Sequence, residues 1–477
     1  MAILEDRGIF WWNDEIVPET HFAPESSVGG KLTIEDDGSI RLELDAIMPS
    51  DDHPFTALLD NGQPIGRNIQ GLLSEAGSVL LLNAIRNGGT FSTNNIAKER
   101  YFVQECLVSQ ERFKRDGNAP LSYRSMKVEL TGFEDWLWLQ SISVARQRNG
   151  LVAKYKAPKD RRFAVPFGTL SIEYELTVPY FGTSRQKNLK LVESAAVKVT
   201  TKRTMSLKEA QDYHRNVEEL LILLTASNYN LDWPTLYPRG SKQRAKLYFS
   251  RYRSGDSPPG AHECLINFPR IAESFGELFA AFIEKRQQYG PGIYLYLGTR
   301  RGMKMFVEHR FVNLIWGLEA FDRRGRGQVQ AGTALDEKIN RIVAQVSLAK
   351  DRCWLKGRLK NAAEPSLSER LVSIFSALPL PFDHSELKKF CKECQDRRND
   401  ISHFGGLRHE EQRYDEFMQD LDRKSNALSA LYHLHLLTII GVDNEQLDFT
   451  RNQNRPMWRM EYDLRAVGLL MPKQGLQ

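Results

Sequence analysis

The chain has 477 residues, of which 41% are hydrophobic and 26% charged, so it is not a disordered polymer and has the length of about two to four domains. Its net charge of +5 comes from 65 basic and 60 acidic residues, an excess too small to identify a nucleic-acid-binding protein by itself. Arginine supplies 40 of the basic residues, which favours an anionic partner because guanidinium groups can bind phosphate through two hydrogen bonds. Five cysteines exclude a disulfide-rich scaffold and are typical of a reducing cytosol.

No stretch of the sequence is predicted to enter a membrane. The first seven residues, MAILEDR, lack the basic start and apolar stretch of a secretory signal. The longest apolar run covers 427–440, contains two histidines and is too short to span a bilayer, which predicts a buried core helix. We therefore expect a cytoplasmic protein with no membrane partner.

The first 200 residues show the alternation of apolar and polar residues that is typical of β-strands. The segments 31–35 and 39–44 alternate on either side of Asp36-Asp37-Gly38, which predicts a β-hairpin. Further strands are predicted at 79–82, 171–178 and 195–200. We interpret the aromatic residues of this half as core residues, with ligand stacking by the tryptophans as the less favoured alternative; they include Phe10, Trp11, Trp12, Trp136 and Trp138.

Helical patterns replace the strands farther along the chain. Ser206 and Glu209 form a capping box ahead of a helical stripe, and 254–260 is predicted as a loop. From 303 onward the pattern is helical only, with apolar stripes at 311–321, 335–346, 371–378, 387–394 and 414–434. The fold class is therefore α+β. We divide the chain into a β-rich domain at 1–205, a mixed α/β connecting region at 206–302, an all-α bundle at 303–445 and a C-terminal extension at 446–477.

The residues best suited to chemistry lie late in the bundle, in the segment 396–406, DRRNDISHFGG. Arg398 is followed after four residues by His403, just before two glycines that are predicted to end the helix. The spacing alone is weak evidence, because a chain with 40 arginines and ten histidines contains about one such pair by chance. Its placement between two predicted bundle helices gives the pair more weight.

Arg398-Asn399 followed by His403 in a helical bundle resembles the R-x4-6-H motif of HEPN domains. The helix at 313–321, NLIWGLEAF, is similar to the first helix of that domain class. Segments at 8–12, 28–32 and 69–71 resemble the N-terminal domain of ApeA-type HEPN proteins. The resemblance implies an all-α HEPN bundle behind a β-rich sensing or regulatory region, a homodimer formed through the bundle, and metal-independent cleavage of RNA in bacterial abortive defence against phage.

The resemblance gives the residues of the motif expected roles. Cleavage of RNA by its own 2′-OH needs a general base and a general acid, and imidazole can do either near neutrality, so His403 is expected to do this work. The Arg398 guanidinium is expected to hold the phosphate as charge develops on it. Asn399 lies four residues before His403 and is expected to orient the imidazole or bind phosphate. The expected substrate-binding residues are Arg397, Arg408 and His409. The scheme requires no metal or other cofactor.

Other interpretations of the same segment stay open. Arg397 and Arg398 could pair with neighbouring acidic residues (Asp396, Asp400 or Glu393) on a solvated face, and His403 could stabilise a helix C-terminus. The pairs Cys391/Cys394 and His403/His409 superficially resemble a zinc finger, although the gap between the pairs is short and both cysteines fall on an apolar stripe. A non-catalytic HEPN module that binds nucleic acid or protein is the alternative function.

The geometry of the motif and the charge around it suggest how it would work. Residues five apart on an ideal helix point about 140° away from each other, so Arg398 and His403 require either a bend before Gly405 or contributions from two chains. The stretch 321–360 carries ten basic and four acidic residues and could guide RNA, although a solvated surface explains each basic cluster equally well. The resemblance to HEPN proteins implies transfer RNA as one candidate substrate and a phage protein as a possible trigger. Phosphate-binding loops, nucleophile elbows and dinucleotide fingerprints are absent from the sequence, which disfavours NTP-driven and α/β-hydrolase chemistry.

Overall fold

A computed structural model of the chain describes residues 2–49, 66–90, 97–113, 122–138, 141–177, 190–240, 243–301, 305–326, 333–359, 364–406, 413–449 and 454–471. Strands dominate the N-terminal half of these residues, and helices dominate the residues after 260. The predicted α+β fold class, with a β-rich region ahead of a helical bundle, is confirmed.

The strands of the N-terminal half are long and mostly antiparallel neighbours. They are β1 (Ala2–Trp12), β2 (Val28–Glu35), β3 (Ile40–Leu44), β4 (Arg67–Leu73), β5 (Ser78–Thr90), β6 (Lys98–Ser109), β7 (Tyr123–Glu129), β8 (Ile142–Gln147), β9 (Gly150–Tyr155), β10 (Arg161–Val165), β11 (Gly168–Thr177), β12 (Val192–Met205), β13 (Thr235–Pro238) and β14 (Ala245–Phe249). The predicted hairpin is β2–β3, with Gly38 at a φ of 80° in its turn. The strands predicted near 79, 171 and 195 are β5, β11 and β12.

Part of the β-rich region closes into a barrel. Twelve strands follow the order β10-β11-β12-β7-β13-β14-β6-β3-β2-β1-β4-β5, and β5 also pairs with β6. The six strands from β6 through β5 therefore form a closed ring, which leaves no free edge between them. The separate hairpin β8–β9 forms its own two-stranded sheet.

The barrel core follows directly from the alternation seen in the sequence. Residues of β2 alternate between buried and half-buried positions, and Leu32 and Ile34 are fully enclosed. Phe10 of β1 is also fully buried, and its ring occupies the space beside Gly71 of β4, where a Cβ would lie 2.5 Å from the ring. The glycine lets two neighbouring strands enclose a large aromatic side chain.

Most of the aromatic residues predicted as core residues are buried. Trp11, Trp12 and Trp136 are at most 8% exposed, and Phe10 is completely enclosed. The prediction is wrong for Trp138, which is 43% exposed and adopts a left-handed backbone conformation with a φ of 54° at the end of a one-turn helix. Trp136, two residues earlier, is completely enclosed.

The helices begin before the predicted bundle and continue past it. They are α1 (Glu134–Leu137), α2 (Leu207–Thr225), α3 (Phe268–Ile271), α4 (Phe275–Tyr289), α5 (Pro291–Arg300), α6 (Val307–Arg326), α7 (Thr333–Ala344), α8 (Ala349–Leu359), α9 (Leu367–Phe375), α10 (His384–Phe404), α11 (Tyr414–Ile439) and α12 (Arg455–Ala466). The capping box at Ser206 is present, and a second one forms at Ser366 with Glu369. Among the described helices, none combines the length and apolar character needed to cross a bilayer.

The chain divides into two units. The first consists of 1–218 and 229–258 and contains the strands; the second consists of 219–228 and 259–477 and contains the helices from α3 to α12. The core of the second unit centres on α11, whose apolar run was predicted as a buried helix and includes the enclosed residues Leu428, Leu431 and Tyr432. The predicted domain boundaries at 205, 302 and 445 stay a prediction.

Candidate active site

Helix α10 carries the candidate catalytic residues, and its sequence explains both of its ends. Asp383 accepts hydrogen bonds from the backbone amides of Ser385 and Glu386 at the N-terminus. Gly405 ends the helix in a left-handed conformation with a φ of 71°, and its amide donates to the carbonyl of Ile401. The predicted cap and the predicted glycine stop are therefore both present.

The buried face of α10 holds the helix against the rest of the second unit. Leu387, Phe390, Cys391 and Cys394 are each at most 3% exposed. They are spaced three or four residues apart, so they form one apolar stripe. Arg398 comes four residues after Cys394 and continues this stripe toward the end of the helix.

Arg398 is held by one acidic residue of another helix. Its Nη2 lies 3.3 Å from Oε2 of Glu319 on α6, and its Nη1 donates to Oδ1 of Asn399 at 3.2 Å. Its Nε is buried and donates to no described residue. The side chain is 25% exposed, so the guanidinium retains donors and a path to solvent.

Arg397 is part of an ionic network. Its Nε donates to Asp420 of α11 at 2.8 Å, its Nη1 lies 3.5 Å from Asp400, and its guanidinium lies 5.2 Å from the ring centre of Phe417. Asp420 also pairs with Lys424, which is only 7% exposed. Burial would raise the pKa of Asp420, but the hydrogen bonds and charges of Lys424 and Arg397 outweigh that effect and lower it.

Of the predicted pairs between the two arginines and nearby acidic residues, the structure shows Arg397 with Asp400. Asp396 instead pairs with Lys392 at 2.9 Å. Glu393 lies 3.1 Å from Lys424. Sequence reasoning missed Glu319, because a partner 79 residues away on another helix leaves no local signal.

His403 lies in the last turn of α10 and is exposed. Within the described ranges, no hydrogen bond or ion pair engages its imidazole. None of the described residues therefore holds the imidazole in place.

Helix α10 is continuous through Arg398 and His403. The described helix therefore supplies no break before Gly405, and the two side chains point about 140° away from each other. Arg398 faces α6, as its contact with Glu319 shows, whereas His403 faces solvent. Of the two predicted arrangements, a bend in the helix finds no support here, and a site shared between two chains stays a prediction.

Of the three remaining predicted site residues, the structure describes Asn399. Asn399 is half-buried and accepts the hydrogen bond from Arg398, so it contacts the arginine of the motif. Arg408 and His409 lie outside the described residues.

The cysteines of the predicted zinc pattern are core residues. Cys391 and Cys394 are both fully buried, and burial raises the pKa of the Cys391 thiol to about 12 and that of Cys394 well above its usual value. Thiols in such surroundings stay protonated, whereas zinc binds thiolates. In the part of the chain that the structure describes, no three metal-ligating side chains form a cluster, and His409 is not in that part.

Helix α8 of the second unit is basic and exposed, and the predicted contact with an anionic polymer stays a prediction. None of the residues of α8 is buried, and four of them are basic: Lys350, Arg352, Lys356 and Arg358. Trp354 is 63% exposed, and the Arg358 guanidinium lies 5.8 Å from its ring centre. Exposed cations beside an exposed aromatic ring are the groups that bind phosphates and stack on bases.

Comparison with known families matches two successive parts of the chain to two families. Residues 7–282, more than half of the chain, match the family described as ApeA N-terminal domain 1. Residues 312–446 match the family described as Apea-like HEPN. These residues include α10, with Arg398 and His403. Searches of curated proteins and of solved structures found no match.

Proposed function

The chain belongs to the ApeA-like family of HEPN proteins, and on that basis we propose that it is an endoribonuclease of the HEPN type. One observation carries the proposal. An exposed histidine, His403, lies in the last turn of a helix that presents Arg398 about one turn and a half earlier, within the segment that matches the HEPN family. HEPN domains are generally ribonucleases, and this pair supplies the two kinds of group that RNA cleavage needs.

The proposed reaction is attack of an RNA 2′-OH on the adjacent phosphorus. The bond from phosphorus to the 5′-oxygen breaks, which leaves a 2′,3′-cyclic phosphate and a free 5′-hydroxyl. His403 takes the 2′-OH proton or protonates the leaving oxygen, and Arg398 neutralises charge on the phosphate. Asn399 holds the guanidinium through its side-chain carbonyl, which is a positioning role. No step in this scheme requires a metal ion.

We further propose that the complete site forms between two copies of the chain. Arg398 and His403 point away from each other on one continuous helix. One phosphate can therefore contact an arginine and a histidine more easily when the arginine comes from one copy of the chain and the histidine from the other. A two-fold axis near the end of α10 would produce two such sites. Arg397 then supports the site through its pairs with Asp400 and Asp420.

The biological setting is proposed from the family. The β-rich region would sense a trigger, for which a phage protein is the expected kind, and the helical unit would cut RNA, so that the infected cell stops growing. Transfer RNA is the first substrate to test. The expected location is the cytoplasm, where both RNA and phage proteins are present.

Cleavage of labelled transfer RNA and total RNA in the presence of EDTA tests the proposal. His403→Ala and Arg398→Ala should each lower the rate by about a hundredfold or more, since each removes a group that acts on the transition state. His309→Ala and Arg423→Ala are matched controls at exposed positions of α6 and α11 and should cut as fast as the parent. Equal rates for all four variants would contradict the assignment.

A non-catalytic nucleic-acid-binding function is the second candidate, and helix α8 favours it. Its exposed basic residues and Trp354 can hold RNA without cutting it. Such a protein would bind RNA with an affinity that falls steeply with salt and would return the RNA intact. It would also be harmless when expressed. Recovery of full-length RNA after binding, under conditions in which a positive-control ribonuclease cuts it, would select this function.

A further inference from the structure

The hairpin β8–β9 of the first unit is separate from the twelve-stranded sheet. Its two strands form a sheet of their own, are joined by the two-residue turn Arg148-Asn149, and make their main contacts with each other. None of the strand residues is buried, and every residue from 142 to 151 is exposed. Because a two-stranded hairpin is only marginally stable in water, a second surface that covers one of its faces would stabilise it.

One face of the hairpin is apolar. Side chains of directly paired residues, and of residues two apart along a strand, lie on the same face of a sheet. The register therefore places six residues on one face, of which only one is charged: Ile142, Val144, Arg146, Leu151, Ala153 and Tyr155. Val144 and Leu151 are 61% and 66% exposed, and Ile142 is 36% exposed. Three aliphatic side chains are thus presented together to solvent, which is typical of an interaction surface.

The same hairpin is strongly basic. Residues 142–159 contain no acidic residue and five basic ones: Arg146, Arg148, Lys154, Lys156 and Lys159. Across the part of the chain that the structure describes, no acidic side chain forms an ion pair with any of these five. Basic residues of the large sheet do have such partners, as Lys198 has Glu173 at 3.1 Å. The uncompensated positive charge of the hairpin therefore favours an anionic partner.

The apolar side chains distinguish between kinds of anionic partner. Single-stranded RNA binds where cations lie beside exposed aromatic rings, on which its bases stack. The exposed apolar residues of the hairpin are instead aliphatic, and its one aromatic residue, Tyr155, is half-buried. Protein interfaces are enriched in aromatic residues and arginine and depleted of lysine, whereas three of the five cations here are lysines. A second copy of the hairpin would bring like charges together.

We propose that the hairpin β8–β9 docks on the surface of a membrane that contains anionic lipids. Its aliphatic side chains enter the boundary between headgroups and acyl chains, and its cations contact the lipid phosphates. Long lysine and arginine side chains can bend away from an apolar surface to reach the headgroups. A contact of this kind needs no segment that spans the bilayer. It goes beyond the proposed ribonuclease function and departs from the expectation that the chain has no membrane partner.

Co-sedimentation of the full chain with lipid vesicles tests the charge of the hairpin. Vesicles of phosphatidylglycerol mixed with phosphatidylcholine should bind the chain at least about tenfold more tightly than vesicles of phosphatidylcholine alone. Arg146→Glu combined with Arg148→Glu should weaken binding to the anionic vesicles at least about tenfold, because attraction to the lipid phosphates becomes repulsion. Lys208→Glu combined with Arg239→Glu is the matched control. It changes the net charge equally at exposed positions of the same unit and should have a much smaller effect.

A second double variant tests the apolar face. Val144→Ser combined with Leu151→Ser retains all five cations and should weaken binding to the anionic vesicles about tenfold, since two aliphatic side chains no longer leave water. Its affinity for labelled transfer RNA should stay that of the parent. Both side chains are exposed, so its melting temperature should also be unchanged.

Four results would overturn the proposal. Failure to bind the anionic vesicles would leave an acidic protein as the occupant, and unchanged vesicle binding by either hairpin variant would exclude this face as the contact. Loss of transfer RNA binding without loss of vesicle binding in the charge variant would identify RNA as the occupant. A change of oligomeric state in the serine variant without vesicles would identify a second copy. His403→Ala should bind vesicles like the parent, so failure of the ribonuclease assignment gives a different result.

Discussion

His433 and His435, the two histidines in the apolar run of α11, differ in their hydrogen bonding although only one residue separates them. The Nε2 of His433 donates to the carbonyl of Leu223 at 2.8 Å, and its Nδ1 accepts from the Tyr296 hydroxyl at 2.6 Å. His435 has no hydrogen-bond partner at either ring nitrogen among the described residues, and its ring packs against Phe321. Burial lowers the pKa of His433 to about 3 and that of His435 to about 4.

These pKa values predict loss of stability in mild acid. A histidine whose folded pKa lies below its unfolded value stabilises the fold above the unfolded pKa and loses that contribution as the pH falls. For His435 the loss extends from about pH 6.5 to pH 4 and amounts to at most about 3 kcal/mol. His435→Phe should flatten this part of the pH dependence of urea unfolding.

The neighbouring histidine provides the control. His433→Phe should lower the free energy of unfolding at pH 7 by about 1–3 kcal/mol, because the Tyr296 hydroxyl and the Leu223 carbonyl would lose their partner. His435→Phe removes no hydrogen bond and should cost much less at the same pH. Equal losses for the two variants would contradict the difference in their surroundings.

At the scale of elements, α10 and α11 are joined by charges as well as by apolar contacts. Lys424 of α11 pairs with Glu393 of α10 and with Asp420, while Asp420 also binds Arg397 of α10. Asp420 therefore holds two cations, and the network fixes the helix that carries Arg398. The network positions α10 for the proposed site and takes no part in the proposed reaction.

Removal of the central carboxylate should destabilise the helical unit strongly. Asp420→Asn leaves Lys424 and Arg397 without their shared partner, while Glu393 and Asp400 still pair with them, and should cost about 1–3 kcal/mol. The exposed pair Lys392–Asp396 is the control, and Lys392→Met should cost only about 0–1 kcal/mol. Urea unfolding at pH 7 measures both, and similar values would show that the network does not stabilise the unit.

The barrel offers a second test at this scale. A Cβ on Gly71 would lie 2.5 Å from the Phe10 ring, so Gly71→Ala should force the ring or the strand to move and cost about 1–3 kcal/mol. Gly29→Ala is the control, because its Cβ would make only an ordinary contact, 3.8 Å from Asp45. Thermal unfolding should show a clear fall in melting temperature for Gly71→Ala and little change for Gly29→Ala.

At the scale of the whole molecule, an active site shared between two chains can be tested by combining two inactive variants in one dimer. A dimer of one Arg398→Ala chain and one His403→Ala chain would retain one complete site if Arg and His come from different chains. Purified through two different tags, this mixed dimer should recover up to about half of the parent's RNA cleavage. Each variant alone should stay inactive. No recovery in a verified mixed dimer would favour a site within one chain.

The sequence by itself determined the elements and their order. Period-two alternation predicted the hairpin β2–β3, and capping residues at Ser206, Ser366 and Asp383 predicted where helices begin. These signals are local, since each depends on residues only a few positions apart. The same holds for the Arg398–His403 spacing and for the glycine that ends α10.

Only the tertiary structure decided which side chains meet. The pairing of β5 with β6 closes the barrel, and Glu319 reaches Arg398 from another helix. The tertiary structure also decided that Trp138 is exposed while Trp136 is buried. Contacts between residues far apart in the chain arise from packing and charge pairing in three dimensions, for which one sequence contains no local pattern.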